Sequence, residues 1–198
     1  MTYSIIGAGA IGGALARHFA RLDLPVLIAN ARGPEALRDM QEALGASVQP
    51  VDLQTAVQAD VVILALPFAA VPEIAAAGDW NGRLVIDATN AIDFSDFTPA
   101  DLGGRFSSQI VAETLPGARI VKGFNTLPAA VLARDPVTAG GRRTIFLSSD
   151  DQDAAARAGA LVKQLQFEPI FLGRIDEGGR LQQFGGALMV HSLLLEAA

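Results

Sequence analysis

Three glycines near the start of the chain constrain its fold more than any other sequence feature. Gly7, Gly9 and Gly12 follow a short apolar run, Tyr3 to Ile6, and lead directly into a segment in which apolar residues recur with helical spacing. Strand, glycine turn and helix in this order are the context in which a G-x-G-x-x-G pattern binds a dinucleotide. The alternative is a glycine-rich turn that binds nothing, and the flanking strand and helix weigh against it.

Each glycine of this turn has its own predicted role. Gly7 permits a tight turn, Gly9 lets the backbone approach a pyrophosphate, and Gly12 lets the helix pack close to the strand. The free N–H groups at the start of the helix then face the phosphates. The predicted phosphate-binding residues are Gly7, Ala8, Gly9, Ala10, Ile11 and Gly12.

Apolar runs alternate with helical patterns along almost the whole chain. The runs in Val61–Leu66 and Leu84–Ala88 do not alternate with polar residues, which is typical of strands covered on both faces. We therefore predict an α/β fold, a Rossmann-type doubly wound, mainly parallel sheet with a C-terminal helix. Further strands are predicted at Tyr3–Ile6, Val26–Ala29, Ser47–Pro50, Ile120–Gly123, Thr144–Leu147 and Pro169–Phe171, and helices at Ala10–Leu22, Pro34–Leu44, Ser108–Leu115, Pro128–Ala133 and Asp151–Leu165.

The length of the chain favours one domain. Its 198 residues are enough for one substantial core but few for two full domains, so we predict a single domain over 1–198. Residues 174–198 are predicted to be a C-terminal helical extension, with an amphipathic helix over Arg180–Ala198. This helix covers the sheet, closes the active site or forms a dimer contact.

Composition and charge exclude several kinds of function. The net charge is −6, and no stripe of Lys and Arg predicts a nucleic-acid surface. With no cysteine and two histidines, no metal site is expected. The most apolar stretch, Val61 to Gly78, is interrupted by Pro67, Pro72 and Glu73, which argues against a membrane span. No N-terminal targeting pattern is recognisable. We expect a cytoplasmic protein with neither a nucleic-acid nor a membrane partner.

The residues after the second predicted strand indicate which nucleotide is preferred. An NAD-selective site would carry an acid here for the ribose hydroxyls, but the chain has Asn30, Ala31 and Arg32 and no acid before Glu35. Arg32 would attract a 2′-phosphate. A charge-assisted hydrogen bond contributes about 1.5–3 kcal/mol, or roughly a ten- to over a hundredfold preference for NADP. A solvated surface arginine is the alternative interpretation.

The segments expected at the carboxyl ends of the other strands are rich in amides and poor in acid–base groups. The remaining predicted cofactor contacts are Leu66, Pro67, Thr89, Asn90 and Asn125. No catalytic residue is predicted. Tyr3 belongs to the first strand, so the Tyr-x-x-x-Lys relay of short-chain reductases is absent. Lys122 and Asn125 do not have the spacing of the Lys-x-x-x-Asn pair of hydroxyacid dehydrogenases, and Lys122 is predicted to be structural.

The scarcity of acid–base groups favours an acceptor that takes a hydride without help from a protein acid or base. Flavins and deazaflavins take a hydride directly, and the protein mainly supplies stacking and orientation. Phe68 and Phe124, together with Asn90 and Asn125, would suit such a pocket, although each is also explained as a core or capping residue.

Several of these segments together resemble the F420-dependent NADP oxidoreductase family, whose nucleotide domain is related to the cytosolic domain of membrane ferric reductases. The matching stretches are Ile5–Gly13, Asn30–Glu35, Asp87–Asn90, Ser107–Glu113, Val121–Leu127 and Gly185–Leu188. The resemblance implies NADPH at the glycine turn and at Arg32, an acceptor stacked over the nicotinamide between the sheet edge and the C-terminal region, and often a dimer. Ala8, Ala10 and Ala31 stand where archaeal members commonly have Thr, Asn and Arg.

Three functions remain open at the level of sequence. The first is an NADPH-dependent oxidoreductase that transfers a hydride between NADP(H) and a small planar redox acceptor, either coenzyme F420 or exchangeable FMN or FAD. The second is a flavin-mediated ferric or quinone reductase. The third is a non-enzymatic NADP(H)-binding sensor. A homodimer is expected from the apolar C-terminal region.

Overall fold

The structure, a computed structural model, describes residues 1–196 of the chain. Within these residues the backbone forms one large sheet, one smaller sheet and one hairpin. The strands are β1 (Tyr3–Ile6), β2 (Val26–Ala29), β3 (Val48–Pro50), β4 (Val61–Leu64), β5 (Leu84–Asp87), β6 (Ile92–Asp93), β7 (Thr98–Pro99), β8 (Arg119–Lys122), β9 (Val137–Thr138), β10 (Gly141–Leu147), β11 (Glu168–Phe171) and β12 (Leu194–Leu195).

The helices lie between these strands. They are α1 (Ala10–Arg21), α2 (Arg38–Leu44), α3 (Leu53–Ala56), α4 (Val71–Ala75), α5 (Ser107–Thr114), α6 (Ala129–Leu132), α7 (Gln152–Gln164) and α8 (Gly178–Gln182), with 3-10 turns at Pro34–Leu37 and Phe68–Ala70. None of the described helices combines the length and apolar character needed to cross a bilayer.

The large sheet has the strand order β3-β2-β1-β4-β5-β8, and all of its neighbouring strands are parallel. The chain order reverses between β1 and β4, which makes the carboxyl ends of these two strands the topological switch point where such sheets bind ligands. The predicted doubly wound parallel sheet is confirmed.

Apolar residues fill both faces of the large sheet. Every residue of β4 and β5 is buried, as expected for strands covered on both sides. On one face, helix α1 packs Leu15 and Phe19 into the core, while Arg17 stays exposed. Because both layers are anchored in this way, the strand ends and the loops that follow them have fixed positions.

The smaller sheet is built around β10. Strand β11 is parallel to β10 and is reached through helix α7, whereas β9 and β12 pair with β10 in the antiparallel direction. Strands β6 and β7 form a separate antiparallel hairpin after β5. A hydrogen-bonded bridge between Lys122 and Ser148 connects the ends of β8 and β10.

The prediction of an amphipathic helix over Arg180–Ala198 is wrong. Helix α8 ends at Gln182, Gly185 has a left-handed φ of +84°, and the chain then runs through turns to the short strand β12. Gln183 is already extended, and the turn at Gly185 then separates the apolar residues that suggested helical periodicity here. Residues 197 and 198 of the predicted helix lie outside the described residues.

Candidate nucleotide-binding site

The glycine turn after β1 has no room for side chains at two of its positions. A Cβ atom on Gly7, whose φ is +109°, would overlap the carbonyl of Ala65, and one on Gly12 would overlap the carbonyl oxygen of Gly7. A Cβ on Gly9 would meet nothing within 4 Å, because its position faces open space. The turn therefore brings bare backbone to the surface at Gly9, as close approach of a phosphate requires.

The start of helix α1 carries free hydrogen-bond donors. Gly7 N donates to Ala29 O and Gly13 N donates to Gly9 O. Between them, the N–H groups of residues 8–12 donate to no acceptor in the described part of the chain. Gly9 is the N-cap and offers no side-chain cap, and the first turn carries no acid. This arrangement fits an anionic group, because unpaired N–H groups and the helix dipole both favour negative charge there.

A cleft of 420 Å³ opens beside this turn at the switch point of the sheet. It brings together the predicted residues Gly7, Ala8, Gly9, Asn30, Ala31, Arg32, Leu66 and Pro67. Four further lining residues were not predicted from the sequence, and they lie on α3, the following 3-10 turn and α4: Leu53, Ala70, Glu73 and Ile74. These positions carry no motif, and only the pairing order of the strands brings them to the cleft.

Arg32 lies on the wall of this cleft with an exposed side chain. Its backbone N–H donates to Asn30 Oδ1 over 2.9 Å, so Asn30 fixes the turn that presents the arginine. The nearby Glu35 pairs with Arg38 instead, and Arg32 forms no ion pair with any carboxylate among the described residues. Its guanidinium group is thus available to a ligand anion.

The strand ends next to the cleft carry a second group of predicted residues. Thr89 is buried, and its N–H and hydroxyl donate to Asp87 Oδ1 over 2.9 Å and 2.6 Å. Asn90 Nδ2 donates to the carbonyl of Asn125 over 2.9 Å, and Asn125 Nδ2 donates to Asn90 Oδ1 over 3.0 Å. These interlocked amides hold the loops after β5 and β8 together.

Asn125 keeps one unused hydrogen-bonding atom. Its Nδ2 also donates to the carbonyl of Gln182 over 2.7 Å, so both amide hydrogens are engaged and the orientation of the amide is fixed. Its Oδ1 is buried and accepts no hydrogen bond from the described residues. An unpaired buried acceptor is costly, and a ligand N–H would satisfy it.

The structure separates the remaining predicted residues. Ala10, Ile11 and Gly12 form the first turn of α1 and do not line the cleft, nor do Thr89, Asn90 and Asn125. The expectation that Phe124 lines an acceptor pocket is wrong: the ring is buried in the core against Phe167, with ring centroids 6.4 Å apart. Phe68 lines only a small cavity of 80 Å³ beside helix α5.

A second cavity of 220 Å³ lies beyond the end of β5. Its wall begins at Ala91, directly after Asn90, and continues through the β6–β7 hairpin and the start of α5 to Phe184 near the C-terminus. Phe106 and Phe184 supply aromatic surface, and Arg105 supplies a cation that is paired with Glu113 over 2.7 Å. This cavity was not predictable from the sequence, because its walls are far apart along the chain.

The glycine turn, the parallel sheet and the cleft at the switch point define a class: this is a Rossmann-type nucleotide-binding fold. Residues 2–91 match the family model described as NADP oxidoreductase, coenzyme F420-dependent. A crystal structure of a hypothetical protein, SMa0349 from Sinorhizobium meliloti, is 50% identical, with a TM-score of 0.96 over 99% of this chain and 96% of that one. The chain therefore belongs to the same family as the Sinorhizobium protein, and its residues 2–91 are similar to the F420-dependent NADP oxidoreductases. The predicted resemblance is confirmed.

More distant relatives are oxidoreductases by their descriptions. A proposed F420-dependent NADP-reductase from Arthrobacter sp. FB24 is 27% identical, with a TM-score of 0.74 over 89% of this chain and 86% of that one. Human metalloreductase STEAP2 is 27% identical over 101 residues, which are 51% of this chain and only 19% of the human protein. A reductive aminase from Aspergillus terreus in complex with NADPH, at 20% identity and a TM-score of 0.62 over 87% of this chain and 55% of that one, shares the fold.

Proposed function

We propose that this protein is an NADPH-dependent oxidoreductase that transfers a hydride between NADP(H) and a planar redox acceptor. One observation carries the proposal: unpaired N–H groups of the glycine turn and the free guanidinium of Arg32 lie along one cleft. A pyrophosphate and a 2′-phosphate are the two anionic groups of NADP(H), and each has its own candidate partner in this cleft.

The order of the strands supports an extended binding mode. Arg32 follows β2, the glycine turn follows β1, and Leu66 and Pro67 follow β4, which are successive neighbours in the sheet. The next strand is β5, whose loop holds Asn90 against Asn125. In this arrangement the nicotinamide end lies toward the amide pair, and Asn125 Oδ1 can accept a hydrogen bond from the carboxamide.

Bound NADPH supplies the hydride, and the residues around the cleft bind and orient it rather than relay protons. The buried titratable groups at the ends of β5 and β8, Asp87 and Lys122, are paired with each other over 3.0 Å. An acceptor that takes a hydride without a protein acid or base suits this site. We infer that the acceptor is coenzyme F420 or a free flavin, and that its ring occupies the second cavity against Phe184 and Phe106.

A flavin-mediated ferric or quinone reductase is the second candidate. The similarity of half of this chain to the metalloreductase STEAP2 favours it. In that case flavin would be the intermediate carrier between NADPH and the final acceptor. We also propose that the protein is cytoplasmic, as expected from its sequence.

A homodimer is part of the proposal. Strand β12 lies at the edge of the smaller sheet, and Leu193, Leu194 and Leu195 are each more than two-fifths exposed. An exposed, apolar edge strand is the kind of surface that pairs with another chain. A second copy of this chain would cover it.

Exchange of Arg32 for alanine tests the nucleotide assignment. We expect Arg32→Ala to raise the dissociation constant for NADPH roughly ten- to a hundredfold, because a charge-assisted hydrogen bond to the 2′-phosphate is lost. The dissociation constant for NADH should change less than about twofold, since NADH lacks this phosphate. Isothermal titration calorimetry measures both.

Arg17→Ala is the matched control. Arg17 is also an exposed arginine, but it lies on the outer face of α1 and does not line the cleft. The Arg17→Ala variant should bind NADPH and NADH as tightly as the wild type does. Equal losses for NADPH and NADH in Arg32→Ala would remove Arg32 from the 2′-phosphate site.

A further inference from the structure

We propose that the buried ion pair between Asp87 and Lys122 is a positioning device for the nicotinamide half of NADP(H). It holds the Asn90–Asn125 amide pair in place without touching the ligand. This inference rests on the proposed function, because it assigns the amide pair to the nicotinamide end of the cofactor.

The ion pair connects the carboxyl ends of two neighbouring strands. Asp87 is the last residue of β5 and Lys122 the last of β8, and the two are directly opposite in the parallel register. Their side chains are 0% and 1% exposed, and Lys122 Nζ lies 3.0 Å from Asp87 Oδ2. Burial raises the pKa of Asp87, but Lys122 and the hydroxyls of Ser108 and Thr89 outweigh it and hold that pKa below its ordinary value. The Asp87 carboxyl is therefore ionised at neutral pH.

The hydrogen bonds of the pair converge on the turn that follows β5. Lys122 Nζ donates to the carbonyl of Thr89 over 2.6 Å, while Thr89 donates back to Asp87 Oδ1 through both its N–H and its hydroxyl. Ser108 on helix α5 donates to Asp87 Oδ2 over 2.6 Å. The backbone at Thr89 is thus held from both sides, and its neighbour Asn90 has little freedom to move.

The fixed turn transmits this constraint to the amide pair. Asn90 exchanges hydrogen bonds with Asn125 in both directions, and Asn125 in turn donates to the carbonyl of Gln182. These bonds use every amide hydrogen of Asn125 and leave only its Oδ1 without a donor. The network therefore ends at one acceptor of defined orientation, in the loop after β8 toward which the nicotinamide is proposed to extend.

A neutral double variant separates positioning from stability. Replacing a buried ion pair as a unit is often neutral for stability, whereas removing one partner leaves an unpaired buried charge. In Asp87→Asn/Lys122→Met the asparagine can still accept from Thr89, but the bond from Lys122 to the Thr89 carbonyl is lost. The turn after β5 should loosen while the sheet stays intact.

Two ligands that share the adenine half make the test specific. We expect the double variant to bind 2′-phospho-ADP-ribose, which lacks nicotinamide, within about twofold of the wild type, and NADP⁺ roughly three- to tenfold more weakly. If the ion pair had only a structural role, the double variant would lose affinity for both ligands to the same degree. Calorimetric titration of both ligands, with thermal unfolding measured on the same samples, gives the result.

Arg119→Met is the matched control, because Arg119 is an ion-paired residue at the opposite end of β8, bonded to Asp151 over 2.6 Å. It should leave both affinities unchanged. If the double variant does not fold, Ser108→Ala removes a single hydrogen bond to Asp87 and should weaken NADP⁺ alone. Equal loss of both ligands, or no loss of either, overturns the inference. Failure of the wild type to bind either ligand would instead overturn the proposed function, and this inference with it.

Discussion

At the scale of single residues, Gly9 separates ligand binding from protein stability. Gly7 and Gly12 cannot carry a side chain without overlapping backbone, so substitution there would disturb the fold itself. Gly9 has an ordinary φ of −77° and open space in the direction of a Cβ atom. Its lack of a side chain is therefore not required by the protein alone, and a ligand that approaches the backbone explains it.

Gly9→Ala should leave the melting temperature within about 2 °C of the wild type and weaken NADPH binding at least about tenfold, because the new methyl group occupies the space of the pyrophosphate. Gly13→Ala is the control, since a Cβ there meets only Met40 at an ordinary 3.7 Å. Gly13→Ala should leave NADPH binding unchanged and should not lower the melting temperature, because alanine is the better helix former. Unchanged NADPH binding in Gly9→Ala would place the pyrophosphate elsewhere. Thermal unfolding and calorimetry on the two variants decide the matter.

The roles of residues that depend only on the local sequence were predictable. The glycine turn and the absence of an acid after β2 are local signals, and the structure puts Gly9 and Arg32 in one cleft. Lys122 was predicted to be structural, and it is a buried partner of Asp87. The identity of that partner was not predictable, because it depends on the register between β5 and β8.

At the scale of elements, the strands of the large sheet were the easiest to predict and the C-terminal segment the hardest. Strands such as β4 are continuous apolar runs between polar turns, so their sequence determines their place in a buried sheet. The C-terminal apolar residues fit a helical spacing, but Gly185 and the pairing of β12 with β10 give them another conformation. Long-range strand pairing overrides a local periodicity here.

The edge strand β12 carries the prediction about assembly. We expect the wild type to be a dimer in solution and Leu195→Asp to be a monomer, because Leu195 is 51% exposed and a charge on the edge strand opposes pairing. Phe171→Asp, at a residue 52% exposed on β11, is the control and should remain dimeric. Light scattering coupled to size-exclusion chromatography measures the mass. A monomeric wild type, or a dimeric Leu195→Asp, would contradict this assembly.

At the scale of the whole molecule, the order of the strands determines where each part of the proposed ligand would lie. The cleft follows β2, β1 and β4, the amide pair follows β5 and β8, and the second cavity begins one residue beyond Asn90. A ligand extended along the carboxyl ends of the strands would run from Arg32 toward that cavity. The position of the cavity could not be predicted from sequence, because its walls come from the hairpin, helix α5 and the C-terminal segment together.

NADPH oxidation by the purified protein, with coenzyme F420 and with FMN as acceptors in parallel, tests the central claim most directly. The account predicts turnover with at least one of these acceptors, and much faster turnover with NADPH than with NADH. Turnover with F420 alone would identify a deazaflavin acceptor, and turnover with FMN alone would favour the flavin-mediated reductase. NADPH that binds to the protein but is oxidised with neither acceptor would contradict hydride transfer to a planar ring and favour the non-enzymatic sensor.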